Sequence, residues 1–185
     1  MGRPKAAVEL DGEPLVVRGV RALHDAGLEP VIVVLGAGLP DVVELLPAGT
    51  RWVLAPGWDT EGQAASLRAG LDALADTDAD AALVTLVDTP GIGAEALARV
   101  AAHGSDGGVL ARGAVGGRAG HPVLIGRTHW TEVRAAAEGD AGARGFLRGR
   151  DDVVSVDISD VAVDDDLDTP ADLQRWTTRE EGAAP

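Results

Sequence analysis

Short apolar runs bounded by glycine, proline or aspartate alternate with stretches whose apolar residues recur every three or four positions, and this order repeats along most of the chain. Strands that all run the same way cannot be joined by tight hairpins. They need a crossover, usually a helix, and those helices then cover both faces of the sheet. The alternation therefore predicts βαβ units and an α/β fold built on a parallel sheet.

The elements can be placed from local signals. Asp11-Gly12 makes a turn and Pro14 suits a first helical position; Leu15, Val16, Val20 and Leu23 then recur at helical spacing until Gly27. Pro30 to Leu35 reads as a buried strand, 41–46 as a short helix and Arg51 to Ala55 as the next strand, broken by Pro56-Gly57. A helix over 63–74 precedes a continuous apolar strand from Ala81 to Val87, and a helix over 94–102 follows. Residues 107–125 read as two strands joined by a glycine-rich connection at 113–120. Helices over 128–137 and 141–148 and a strand over 153–156 come next. Thr169 and Pro170 then open a last helix as N-cap and first-turn residue.

With 185 residues, 45% of them apolar, the chain can bury one substantial core. One domain over 1–176 is expected, with 177–185 as a flexible polar tail. No apolar run is long enough for a bilayer, and no basic-then-apolar leader opens the sequence, which points to a cytoplasmic protein. Having no cysteine, the chain cannot form disulfides or use a thiolate, so any metal must sit on oxygen or imidazole. A formal charge of −14 repels nucleic acid and anionic membrane. A small anionic substrate is still compatible with it, given a local cation.

Three places can carry chemistry. Ligands of open α/β sheets bind beyond the carboxyl ends of the strands, and Asp88 stands there, after the 81–87 strand, as either a metal ligand or a cap on its own turn. Asp164, Asp165, Asp166 and Asp168 precede the last helix; two carboxylates from separated segments suffice for Mg²⁺, and a solvated acidic loop is the alternative. Met1-Gly2-Arg3-Pro4-Lys5 sets Arg3 and Lys5 beside a glycine, a possible phosphate cradle without the full P-loop pattern. Lys5 is the only lysine in an arginine-rich sequence.

Seven segments in order resemble the nucleotidyltransferase family that includes molybdenum-cofactor cytidylyltransferase and the related guanylyltransferase. They are MGRPK at 1–5, LDGEPLVVRGV at 10–20, PGWDTEGQAASLRAGL at 56–71, LVDTP at 86–90, GHPVL at 120–124, GDAGARGFL at 139–147 and DLDTPADL at 166–173. GHPVL and GDAGAR look more like the cytidylyltransferase branch. The resemblance implies a Rossmann-like, three-layer αβα fold with a mostly parallel sheet. It implies that Lys5 contacts a triphosphate, with Arg3 beside it, and that Asp88 and Asp168 hold Mg²⁺. Ser66 and the Gly62 loop would shape the substrate pocket, and His121 would lie near the acceptor or simply order its loop.

The implied reaction transfers CMP from CTP to a phosphorylated acceptor of molybdopterin type, releasing pyrophosphate, with a molybdoenzyme as eventual recipient. Guanylyl or other nucleotidyl transfer is the first alternative, and a non-catalytic cofactor-binding or chaperone-like role the second. Family members usually carry a strand and a Leu-Ala-Ala-Gly-x-x-x-Arg-like loop ahead of the position that Met1 occupies here. Their absence from the sequence is expected to leave the domain N-terminally incomplete, through a misassigned start or a truncated paralogue. Ala55, Gln63 and the Val87-Asp88-Thr89 triplet also depart from the family's usual Asn, Met and Gly-Asp-Gln.

Overall fold

The computed structural model describes residues 4–104 and 106–183, the last five of them by their backbone. Asp11 and Gly12 take φ of 52° and 79°. Left-handed residues at both central positions suit the tightest hairpins, and here they fold Glu9–Leu10 (β1) antiparallel onto Glu13–Pro14 (β2). The sequence showed the turn but not these two-residue strands.

Helix Leu15–Asp25 (α1) follows, burying Leu15, Val16 and Val20. Its end is fixed by Gly27: the Leu28 N–H donates to Leu23 at 3.1 Å and the Gly27 N–H to His24 at 2.8 Å, satisfying carbonyls the helix leaves open. Strand Ile32–Leu35 (β3), helix Leu39–Val43 (α2) and strand Arg51–Leu54 (β4) form one βαβ unit, with β3 and β4 parallel in register Ile32↔Arg51 to Leu35↔Leu54. Two helices, Trp58–Glu61 (α3) and Gln63–Ala75 (α4), lead to strand Ala81–Val84 (β5). That strand is shorter than its apolar run, and residues 85–87 continue without ladder pairing.

Helix Ala94–Ala101 (α5) precedes strands Leu110–Val115 (β6) and Arg118–Gly126 (β7). The glycine-rich connection narrows to Gly116-Gly117, whose φ of 58° and 76° make a two-residue hairpin turn. The other glycines expected in this connection lie within the strands. Helices Trp130–Ala136 (α6) and Arg144–Leu147 (α7), strand Val154–Asp157 (β8) and helix Pro170–Ala183 (α8) complete the order. The last helix continues past residue 176, where the sequence placed the end of the domain, and residues 184–185 lie outside those described.

The larger sheet has the order β5–β7–β6–β8. Antiparallel pairing of β7 to both β5 and β6, with parallel β6–β8, makes β5, β6 and β8 run one way and only β7 against them. Its two faces are covered by different helices. Leu110, Val123 and Ile125 pack against Leu67 and Leu71 of α4, Val133 of α6 and Leu147 of α7. Ala111, Leu124 and Val156 on the other face pack against Leu97 and Val100 of α5, with Ala22 and Leu23 of α1 against that cluster. This is the three-layer αβα arrangement, with alternate residues of each strand feeding opposite cores.

Between β3 and β5 the sheet is interrupted. Among the described residues, β3 pairs with β4 and β5 with β7, and nothing joins the two. A cleft of about 840 Å³ lies there, lined by Ile32, Val33 and Val34 on one side and Ala82, Leu83 and Val84 on the other. No described helix is long and apolar enough to cross a membrane.

Candidate active site

Lys5, Asp88 and Asp168 are far apart in sequence and meet on one buried cluster. Val8, Leu10, Leu15, Leu167 and Trp176 form it, with Val87 and Leu173 packed against it. Each segment bearing a charged group is thus pinned by an apolar neighbour: Lys5 by Val8, Asp88 by Val87 and Asp168 by Leu167. Backbone bonds fix the register further. The Leu15 N–H donates to the Val8 carbonyl at 2.8 Å, and the Leu167 N–H to the Asp88 carbonyl at 2.8 Å.

Asp168 is held by the start of α8 as well. The Asp172 carboxylate accepts from the Asp168 N–H at 3.1 Å and the Thr169 N–H at 2.7 Å, while the Thr169 hydroxyl accepts from the Asp172 N–H at 3.2 Å. This reciprocal box is the N-cap expected at Thr169. The Thr169 hydroxyl and these backbone donors hold the Asp172 carboxyl below its ordinary range.

The Lys5 ammonium donates to Asp88 Oδ2 at 2.9 Å and also to the Asp168 carboxylate. Burial works to lower the Lys5 pKa, but the two hydrogen bonds and the two negative charges outweigh it, and the group is pushed up to about 12. Asp166 stands near enough that burial and the charges of Asp88 and Asp168 raise its carboxyl above the usual range.

Two carboxylates converging on one ammonium are close enough to share one cation. Their oxygens are hard donors, so their chemistry fits a hard divalent ion. Among the described residues, no group of three His, Asp or Glu side chains is arranged to hold a metal. Asp88 and Asp168 would therefore contribute two ligands and leave the remainder to phosphate and water. When bound, such an ion would neutralise phosphate charge during nucleotidyl transfer.

The remaining candidates lie around the cleft. Ser66 and His121 line it, as does Val87, which links it to the lysine–carboxylate group. His121 Nδ1 is 3.2 Å from the Val84 carbonyl oxygen. A carbonyl only accepts, so Nδ1 carries the proton and Nε2 of the neutral ring is an acceptor. Burial, aided by the Arg144 charge, pushes the imidazole below its usual pKa. Gly62 is not among the residues lining the cleft: with φ at 59°, a Cβ there would come 2.1 Å from an Asp140 carboxylate oxygen, and only glycine fits. The Gln63 N–H reaches the same oxygen at 3.4 Å, tying the Gly62 loop to the GDAGAR loop. Arg3 lies outside the described residues.

Arg112 and Arg144 also line the cleft, and sequence reading singled out neither. The signal for Arg112 was an arginine inside a run of small and apolar residues from Val109 to Val115.

Comparison with known proteins places the chain in a family. The MobA-like NTP transferase domain matches residues 1–154. The chain is 33% identical over 186 residues to nicotine blue oxidoreductase of Paenarthrobacter nicotinovorans, a match covering 95% of this chain and 89% of that protein. Among solved structures, the homologue of Mycobacterium tuberculosis Rv0371c from Mycobacterium sp. strain JC1 superposes with a TM-score of 0.82 at 24% identity, covering 100% of this chain and 91% of that one. Rv0371c of M. tuberculosis H37Rv in complex with manganese gives 0.76 at 25% identity, covering 96% and 94%. The chain belongs to the MobA-like NTP transferase family of nucleotidyltransferases.

Proposed function

We propose that this nucleotidyltransferase moves CMP from CTP to a phosphorylated acceptor of molybdopterin type, in the cytoplasm, with Mg²⁺ held by Asp88 and Asp168. The observation that carries the reading is the meeting of the Lys5 ammonium with those two carboxylates. An oxygen of the acceptor's terminal phosphate attacks the α-phosphorus of CTP; the bond to the β-phosphate oxygen breaks, and pyrophosphate leaves with that electron pair. The acceptor phosphate is already ionised near neutral pH and needs no general base. The protein's task is alignment and charge stabilisation, with Lys5 placed to meet charge on the triphosphate. Ser66, the Gly62 loop and His121 shape the cleft, and Arg3, two positions before Lys5 in the sequence, contributes a second cation. The product would pass to a molybdoenzyme.

Pyrophosphate release tests the reading. Purified protein is incubated with CTP, GTP, ATP or UTP, each with and without molybdopterin and Mg²⁺ or Mn²⁺. Release with CTP that depends on acceptor and metal is expected; release only with GTP would reassign the nucleotide.

A second reading rests on nicotine blue oxidoreductase, whose name assigns it redox chemistry and which is similar along nearly the whole chain. The same cleft would then hold an electron donor and an electron acceptor. Oxidation of NADH or NADPH by a quinone-type dye, with no pyrophosphate released from any triphosphate, would favour it.

A further inference from the structure

Arg112 is a half-buried arginine whose Nε is fully buried without a hydrogen-bond partner among the described residues. Other arginines of the chain are spent on the fold. Arg68 donates to the Ala137 carbonyl at 2.8 Å, Arg127 to the carbonyls of Thr77 and Ala79 at 2.8 Å each, and Arg99 to Asp160. A buried donor left unpaired costs the folded state its desolvation, and native proteins seldom keep one without a use.

The register shows where this donor sits. Arg112 stands opposite Val123 in the β6–β7 ladder, and Val123 opposite Val84 in the β7–β5 ladder. Paired residues share a sheet face, so Arg112 lies on the face of Leu110, Val123 and Ile125, which α4 and α7 cover. It lines the cleft together with Ser66, His121 and Arg144.

The ionisable groups along the cleft are divided by position. Glu29 and Asp80, its two acidic lining residues, precede β3 and β5. Arg112 stands instead level with Val84, at the carboxyl end of β5, where His121 bonds the Val84 carbonyl and Arg144 acts on His121 as a nearby positive charge. That half of the lining carries arginine and histidine, while the carboxylates of Asp88 and Asp166 act on His121 from outside the lining. Held in a half-buried wall, a guanidinium favours an anion more than it would in water.

We propose that Arg112 is a substrate-binding residue whose guanidinium donates from its outer nitrogens, beyond the buried Nε, to a phosphate-monoester oxygen of the acceptor, with Arg144 supplying a second positive charge from the exposed rim. The proposal deepens the nucleotidyl-transfer reading by naming the group that recognises the acceptor's phosphate. Charge-assisted hydrogen bonds to phosphate are among the stronger ones available to a protein, and arginine's fixed fork suits them.

The test uses phenyl phosphate as a phosphate-monoester probe and CTP with Mg²⁺ as a separate ligand, both titrated calorimetrically into the whole chain. Wild type is compared with Arg112→Leu, Arg112→Lys and Arg134→Gln, the last removing an exposed cation paired with Asp72 at 2.9 Å. Arg112→Leu should weaken phenyl phosphate roughly 10-fold or more, with its thermal midpoint equal to or above wild type because an unpaired buried donor is gone. Arg112→Lys should fall between, and Arg134→Gln should bind as wild type does. CTP binding should be unchanged in Arg112→Leu.

The proposal is overturned if wild type does not bind phenyl phosphate, or if Arg112→Leu binds it as tightly as wild type. It is also overturned if that variant melts well below wild type, since Arg112 would then serve the fold, or if it loses CTP instead, since Arg112 would then serve the triphosphate. Failure of the nucleotidyl-transfer reading looks different: no triphosphate releases pyrophosphate, while the Arg112-dependent binding of phenyl phosphate stands.

Discussion

The Leu167 N–H donates to the carbonyl oxygen of Asp88 at 2.8 Å, so the residue before Asp168 is bonded to the backbone of Asp88 itself. Side chains attached on either side of such a bond are held in a fixed relation that does not depend on either carboxylate. Replacing one of those carboxylates should therefore remove a charge and leave the joint intact.

Asp88→Ala and Asp168→Ala are accordingly each expected to abolish metal-dependent turnover while far-UV circular dichroism stays native. Both side chains are at least partly solvent-exposed, and the Leu167 anchor is untouched. Circular dichroism and pyrophosphate release are to be measured on the same preparations. Wild-type turnover in either variant would remove that carboxylate from the metal site.

Lys5→Ala is expected to harm catalysis more than Arg148→Ala. Arg148 is exposed beyond the end of α7, where a charge is typically worth about 0–1 kcal/mol. A donor aimed at charge developing in a transition state is worth about 2.7–4 kcal/mol in a water-excluded site, or roughly 100- to 1,000-fold in rate. Equal kcat/KM losses in the two variants would reduce Lys5 to a structural counter-ion of Asp88 and Asp168.

The triad of Lys5, Asp88 and Asp168 shows how far the sequence could be read. Each residue could be marked from its own neighbourhood: a lone lysine, a carboxylate after an apolar strand, a carboxylate before a capped helix. Their contact could not, because the partners are 83 and 163 positions from Lys5 and the turns between them carry no local sign of it. Strand and helix order was legible because burial imposes periodicity. Strand direction was not: the reversal at β7 follows from Gly116 and Gly117, two of several glycines in that stretch. Arg112 was missed for a related reason. A charged residue within an apolar run looks solvent-facing until the ladder shows which face it shares.

His121 gives a pH dependence with a definite sign. Burial, with the Arg144 charge, holds its imidazole below the ordinary 6.5, so the folded chain binds fewer protons than the unfolded one. Its contribution is fully present above that ordinary value and is lost as pH falls through the interval below it. Thermal midpoints of wild type and His121→Gln should be compared from about pH 8 to about pH 5, a range spanning histidine's titration. The wild-type midpoint should drop relative to the variant on acidification. A constant difference would show that His121 titrates alike in both states.

The cleft between β3 and β5 leads to the remaining expectation. Ile32–Leu35 and Ala81–Val84 each have a strand on one side only among the described residues, and apolar side chains from both line the space between them. Strand edges facing one another across an apolar gap leave ladder donors and acceptors unpaired, at a cost for each group kept from water. A further strand between them would pair both edges and join the two sheets, and a glycine-rich loop after it would bring backbone N–H groups towards the nucleotide phosphates. The 185-residue chain is therefore to be compared with one lengthened before Met1 by a family-type strand and Leu-Ala-Ala-Gly-x-x-x-Arg-like loop. The lengthened chain should melt at higher temperature and bind CTP with Mg²⁺ more tightly in calorimetry, and its amide protons in β3 and β5 should exchange more slowly. Should the shorter chain match it in melting, in CTP affinity and in exchange, the gap between β3 and β5 is not a place for a strand, and the nucleotide must be held by the residues already lining the cleft.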